Sequence, residues 1–297
     1  MALRRTCGAM QVHFRLLESE PSFRQRQADL EHDFAMRKRA KLALPANPSV
    51  IRVVVHVVYD TPAGNLSDAQ VQTQIAALNR DYRRANADVS KVPGVWSGLA
   101  ADPFVQFALA TTDPGGAPTT GITHTATSRP SFGDDDSVKS AATGGVDPWP
   151  TDRYLNLWAC SLGGGLLGYA QFPGGPAKTD GVVILNTAFG VGGTAADPYN
   201  LGRTATHEVG HFLNLRHIWG DTEDCSGSDF VDDTPNAQLP NYGKPVFPHV
   251  SCQNGPDGDM FMNYMDYVDD DSMVMFTNGQ VMRMHAALAG PRAGIIM

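Results

Sequence analysis

His207-Glu208-Val209-Gly210-His211-Phe212-Leu213-Asn214-Leu215-Arg216-His217 carries three histidines whose spacing constrains the backbone between them. On a helix, His207 and His211 fall on one face a single turn apart, where both grip one metal ion. Glu208 is rotated about 100° from His207, so it stands beside such an ion, where a carboxylate takes a proton from a metal-activated water. A helix continued from His211 to His217 would turn through about 600°, or 240° net, and carry the third histidine to the wrong face. The helix therefore ends in between. Asn214 is the non-glycine residue most tolerant of the left-handed conformation that such a turn demands.

Upstream, the valine-rich run from Ile51 to Tyr59 reads as a buried strand. Ser67 then caps a helix on which Val71, Ile75, Leu78 and Tyr82 share a face. Phe104 to Ala110, Tyr154 to Cys160 and Gly181 to Leu185 read as further strands, separated by a polar, Gly-rich stretch from Thr111 to Gly145. The pattern is a mixed α/β sheet. Gly163 to Gly175 has no Lys-Ser/Thr pair and no clean G-x-G-x-x-G, so it is loop and edge strand and not a phosphate cradle. Beyond His217 the chain is dominated by Gly, Pro, Asp and Asn until a last helix, where Thr277 and Gln280 are placed for a capping box and Val281, Met284 and Leu288 share one face.

Composition sets the outer bounds. The 297 residues suit one large or two small domains, and 42% hydrophobic with 18% charged residues, 30 Gly and 20 Pro describe a globular chain rich in turns. A net charge of -8 disfavours nucleic acid and anionic membranes as partners. No apolar run approaches the roughly 20 residues of a membrane helix, and Met1 to Glu20 lacks the apolar core of a secretion signal. Residues 1 to 47 concentrate Arg4, Arg5, Arg15, Arg24, Arg26, Arg37, Lys38, Arg39 and Lys41 in a helix-permissive segment ended by Pro45 and Pro48, on charge alone a solvated extension. Four cysteines are too sparse for a disulfide scaffold and predict one disulfide with two free thiols, Cys160 being buried in a strand. His13, His32, His56, His124, His249 and His285 have no ligand spacing and read as structural.

HEVGHFLNLRHIWGD, the later Asn263-Tyr264-Met265-Asp266-Tyr267, and the upstream YLNLWAC, GYAQFPGG and DGVVIL together resemble the pappalysin family of zinc metalloproteases, in the metzincin clan, from about Ile51 to about Leu288. The clan pattern H-E-x-x-H-x-x-G-x-x-H has glycine where this chain has Asn214. The resemblance implies a metzincin-type catalytic domain over residues 51–297, with an N-terminal subdomain to about residue 217 and a loop-rich C-terminal subdomain over 218–297, preceded by a prosegment over 1–50. It implies zinc on His207, His211 and His217, Glu208 as general base, Tyr267 as an oxyanion stabiliser and Met265 as the floor beneath the metal. A plainer reading makes Tyr267 a core aromatic.

The same resemblance implies a Cys225–Cys252 disulfide, an oxidising and thus extracellular setting, and calcium among Asp221, Glu223, Asp224, Asp229, Asp232 and Asp233, although a solvated acidic loop explains them as simply. Cys7 is expected as a latency ligand of the zinc, against the plainer reading of a cysteine in a helical tail, with processing near Arg37 to Lys41 and Arg52. Asp271 is expected to floor the pocket for an Arg or Lys after the scissile bond, with Asp269 and Asp270 solvated or bound to cations. The function so implied is a zinc endopeptidase, made latent, acting on protein or peptide substrates. The alternative is a catalytically impaired binding module, with Asn214 as the first mark of decay.

Overall fold

The computed structural model describes residues 4–40 and 45–297, so Lys41, the end of the first basic cluster, lies outside the described residues. The basic extension forms two helices, α1 (Ala9–Ser19) and α2 (Pro21–Ala40), and Pro21 opens the second at a position where its missing N–H costs nothing. The extension is not merely solvated: Cys7, Val12, Leu16 and Phe23 are buried in the same core as the sheet.

Strand β1 (Ser49–Tyr59) is buried along nearly its whole length, as a run of β-branched residues in the middle of a parallel sheet must be. Helix α3 (Asp68–Asp81) follows, and the Ser67 hydroxyl accepts the Gln70 amide (3.2 Å) as its cap. The chain continues through β2 (Ala100–Ala101), β3 (Val105–Leu109), β4 (Ile122–Ala126), β5 (Leu155–Cys160), β6 (Gly168–Ala170) and β7 (Val182–Leu185). The main sheet runs β3-β1-β5-β7-β6, and β4 takes over from β3 along the second half of β1. All pairings are parallel except that of β6 with β7. Strand β6 is therefore an antiparallel edge strand, inside the Gly-rich segment read as loop and edge.

Helix α4 (Arg203–Phe212) lies against β6 and β7, so the sheet edge and the histidine motif share one wall. The remainder is loop-rich, with β8 (Tyr242–Gly243) paired to β9 (Tyr267–Val268), and β10 (Phe276–Thr277) paired back to β2. Helix α5 (Asn278–Leu288) begins with the expected reciprocal box of Thr277 and Gln280. Cys225 and Cys252 are joined, while Cys7 and Cys160 are free and buried.

Candidate active site

Helix α4 stops after Phe212 because Asn214 takes a left-handed φ of 74°. The amide of Leu215 donates to the Gly210 carbonyl and that of Asn214 to the His211 carbonyl, both 2.9 Å. This is a Schellman end with asparagine in the usual glycine position. It turns the chain so that His217 comes back over the helix. The Nε2 atoms of the three histidines then stand 3.1 Å (His207–His211), 3.1 Å (His211–His217) and 3.3 Å (His207–His217) apart. Asn214 thus does the work of the motif glycine and is no mark of decay.

Each Nδ1 is committed elsewhere. His207 donates to the Tyr264 carbonyl (2.7 Å), His211 to the Leu215 carbonyl (2.8 Å) and His217 to the Asp221 carboxylate (2.5 Å). With Nδ1 carrying the proton, each Nε2 is left to offer its lone pair. Burial, reinforced by the neighbouring imidazoles, holds His207 and His211 well below the ordinary histidine range, in that neutral form. Three lone pairs converging in a dry interior repel one another unless a cation lies between them. Zinc–nitrogen bonds of about 2.0–2.1 Å at tetrahedral angles separate the nitrogens by about 3.3 Å, so the donor set fits such an ion. The Cys7 sulfur belongs to the same group, whose ligand atoms all lie within 4.8 Å of one another.

Glu208 is fully buried, one step around α4, and burial pushes its carboxyl up to about 8. Its Oε2 lies 3.2 Å from the Cys7 sulfur. Burial and the nearby Glu208 push the Cys7 thiol well up. Tyr267 packs its ring against His217 and Trp219, at 4.9 and 4.7 Å between centroids, and its hydroxyl accepts the Cys7 amide at 3.3 Å. It is a wall of the centre, not a distant core aromatic. Met265 is fully buried beneath Gly210, where a Cβ would collide with its sulfur. Glycine at that motif position is what lets the methionine turn close.

The extension crosses the centre as an added strand. Gly8 donates to the Gly168 carbonyl and Leu167 to the Thr6 carbonyl, both 2.9 Å, with Cys7 bridged to Gly168 in parallel. Gly168 is required here, since a Cβ would meet the Val183 carbonyl at 2.8 Å and Glu208 Cγ at 2.9 Å. Arg5 enters a buried slot: its guanidinium donates to Asp270 (2.6 Å), Thr204 (3.1 Å) and the Val268 carbonyl (3.2 Å), and lies over the Tyr199 ring.

Asp271 does not floor this slot. Its side chain is 41% exposed and pairs with Lys244 at 2.5 Å. In a run of three aspartates the middle one faces inward. Asp270 is fully buried, and its second oxygen accepts the Leu201 amide at 2.8 Å. Nor do the acidic residues after His217 converge. Asp221 serves His217, Asp224 accepts from Ser226, Asp229 from Thr234, Asp232 pairs with Lys38, and Asp233 accepts from Thr277 and Gly279 at the start of α5. Among the described residues the Cys7–histidine group is the one metal-type cluster. His56, by contrast, is spent between Thr123 and Asn156.

Comparison with known proteins agrees with this geometry. A family model described as pregnancy-associated plasma protein-A, peptidase M43, matches residues 141–289. An extracellular metalloprotease of Pyricularia oryzae is 33% identical, over 97% of this chain and 90% of that protein. Mature mirolysin of Tannerella forsythia in complex with a cleaved peptide superposes with a TM-score of 0.83 at 50% identity, covering 84% of this chain and 96% of that one. A promirolysin mutant of the same organism reaches 0.90 at 46% identity, over 98% of this chain and 97% of that one. The buried histidine centre, the mixed α/β fold and these likenesses agree: the chain belongs to the pappalysin family, peptidase M43, and is a metalloendopeptidase.

Proposed function

We propose that the metal is zinc, that the chain is a latent form whose residues up to about 50 are a prosegment, and that the released enzyme favours arginine or lysine after the scissile bond. The observation that carries the reading is the convergence of three bare Nε2 atoms with a thiol. Nitrogen and thiolate donors in four positions suit zinc better than a hard cation. A zinc ion held there would supply Lewis acidity and bring a water's pKa toward neutrality. Glu208 then accepts the proton of the attacking water and returns it to the leaving amine nitrogen. The Tyr267 hydroxyl donates to the oxygen that becomes negative as the carbonyl turns tetrahedral. The Leu167 amide and Gly168 carbonyl, now engaged by the prosegment, orient the substrate backbone as one more strand.

Latency is supported by the same contacts. The Cys7 sulfur joins the three histidine nitrogens, its amide donates to the Tyr267 hydroxyl, and Arg5 fills the slot ending at Asp270. A guanidinium already seated on a buried carboxylate supports a basic side chain in substrates, with Asp270 in the role first expected of Asp271. The relatives named as extracellular metalloproteases support secretion, and among the described residues no helix is long and apolar enough to cross a membrane. Calcium in the 221–233 loop is a further part of the proposal, supported by the buried, unpartnered Asp221 Oδ2.

The test is metal analysis with peptide-library cleavage before and after prosegment removal. Stoichiometric zinc, activity lost to chelator and restored by zinc, and a rise on removal are expected, with Arg or Lys enriched after the cut. Full activity without any metal, or equal activity of the two forms, would overturn it. A calcium-induced rise in Tm at fixed zinc tests the loop, and its absence removes that part alone.

A further inference from the structure

A second ion pair joins the prosegment to the catalytic body on the far side of Cys7. Arg15, on α1, donates from Nη2 to Asp136 Oδ2 and from Nη1 to the Asp134 carbonyl, both 2.6 Å. Asp136 is held for this from within. Its Oδ1 lies 2.8 Å from Nζ of Lys139, whose side chain is 0% exposed. Lys139 also donates to the Thr179 carbonyl (2.7 Å), and its ammonium sits over the rings of Trp158 and Tyr169. A wholly buried ammonium is costly unless paired, so it fixes the Asp136 carboxylate in place. The backbone of Asp136 is left-handed, φ 63°. Its remaining oxygen points to the surface that α1 covers.

The position of this carboxylate relative to the reacting centre follows from the paired strand. A Cβ on Gly8 would lie 3.1 Å from Asp134 Cβ and 3.2 Å from Cβ of Tyr169 in β6, so the Asp134–Asp136 loop flanks the prosegment one residue beyond Cys7. Arg5 reaches Asp270 from two residues before Cys7. Two carboxylates thus stand on opposite sides of the centre, each holding a prosegment arginine. With Asp270 facing the residue after the scissile bond, Asp136 faces residues before it.

We propose that Asp136, together with the Asp134 carbonyl, is a second specificity subsite that takes an arginine or lysine side chain on the amino side of the scissile bond, and that Arg15 fills it in the latent chain. The proposal rests on the prosegment reading above. A guanidinium suits it best, because one fork spans a carboxylate and a carbonyl at once.

The test uses enzyme that has lost its prosegment. Its peptide-library profile is expected to show Arg or Lys enriched at a position before the cut as well as after it. Paired peptides with Arg or Gln at that earlier position should differ about tenfold in kcat/KM, the scale of one charge-assisted hydrogen bond. Asp136→Asn keeps the shape and tolerates left-handed backbone, and should abolish that difference while the preference after the cut persists. In the full chain, Arg15→Ala should loosen latency. No enrichment before the cut in the unaltered enzyme, or an unchanged ratio in Asp136→Asn, overturns the subsite and leaves the prosegment reading standing. Should Asp136→Asn not fold, placing Glu at the earlier position should make the unaltered enzyme slower than with Gln, and equal rates overturn the proposal. Failure of the prosegment reading shows separately, as equal activity of the full-length and released forms.

Discussion

Glu208 stands where a Cβ on Gly168 would fall, and each residue gives a sharp expectation. Glu208→Gln should retain fold and metal yet lose at least about a hundredfold in kcat, the lower end of general-base assistance. Metal analysis beside a rate measurement checks it, and near-normal turnover with metal bound would exclude the role given to Glu208. Gly168→Ala adds only a methyl group, but that methyl must displace either the Val183 carbonyl or the Glu208 side chain. It should lower kcat with metal content unchanged, and loss of the metal would mean that the damage lies elsewhere. His207, His211 and Glu208 were legible from the motif because helical spacing alone fixes their faces, and His217 because the same spacing requires the helix to end before it. Gly168 was not, since nothing local distinguishes it from the other glycines between residues 163 and 175. The inward-facing aspartate was missed by one position: a run of three hides that it is Asp270 until Leu201 and Arg203 supply the amides that hold it.

The Cys225–Cys252 bond spans a sequence separation of 27 in the loop-rich region after His217. Opening it with a Cys225→Ser, Cys252→Ser pair should lower stability by about 3–4 kcal/mol on the loop-entropy account, read as a lower denaturant midpoint. Inside that loop, burial pushes the Asp229 carboxyl up to about 7 from an ordinary 3.8, against hydrogen bonds from Thr234 and Val231 that pull it down. The folded state therefore holds a proton that the unfolded chain releases. This contribution is complete below about pH 4 and lost as pH rises through about 7. Asp229→Asn should flatten the fall in Tm across that window, and an unchanged slope would assign it to other groups. Most elements were readable from periodicity. Strand β4 was not: among Ile122, Thr123, His124, Thr125 and Ala126 only Ile122 is buried, so the strand shows little apolar pattern and is defined by its pairing with β1.

Across the whole molecule the extension is fastened at both ends. Arg5, Cys7 and Arg15 hold the segment over the centre, while Glu31 on α2 grips the fully buried guanidinium of Arg283 with bonds of 2.8 and 2.5 Å. Arg283 in turn donates to the Asn214 carbonyl (3.0 Å), at the turn that delivers His217. Glu31→Gln in the full chain should lower stability by about 1 kcal/mol, since the carboxylate is itself partly exposed. Cys7→Ala should raise the activity of the uncut protein, and an equal rate would show that Cys7 has no part in latency. Cys7 apart, these tertiary pairs have no sequence signature, because their partners lie between 69 and 265 positions apart and only the fold brings them together.

Trp219 lies flat on the imidazole of His217, with ring planes 8° apart and centroids 4.3 Å apart. An indole stacked on an imidazole senses changes in that ring's charge and electron density. With His217 and Cys7 in the roles proposed above, intrinsic fluorescence should shift on metal loading and again when the thiol leaves, an optical reporter of activation carried within the chain. Trp219→Phe should silence that signal while Trp96, Trp149 and Trp158 still emit, and a metal-dependent change that survived the substitution would place the reporter elsewhere.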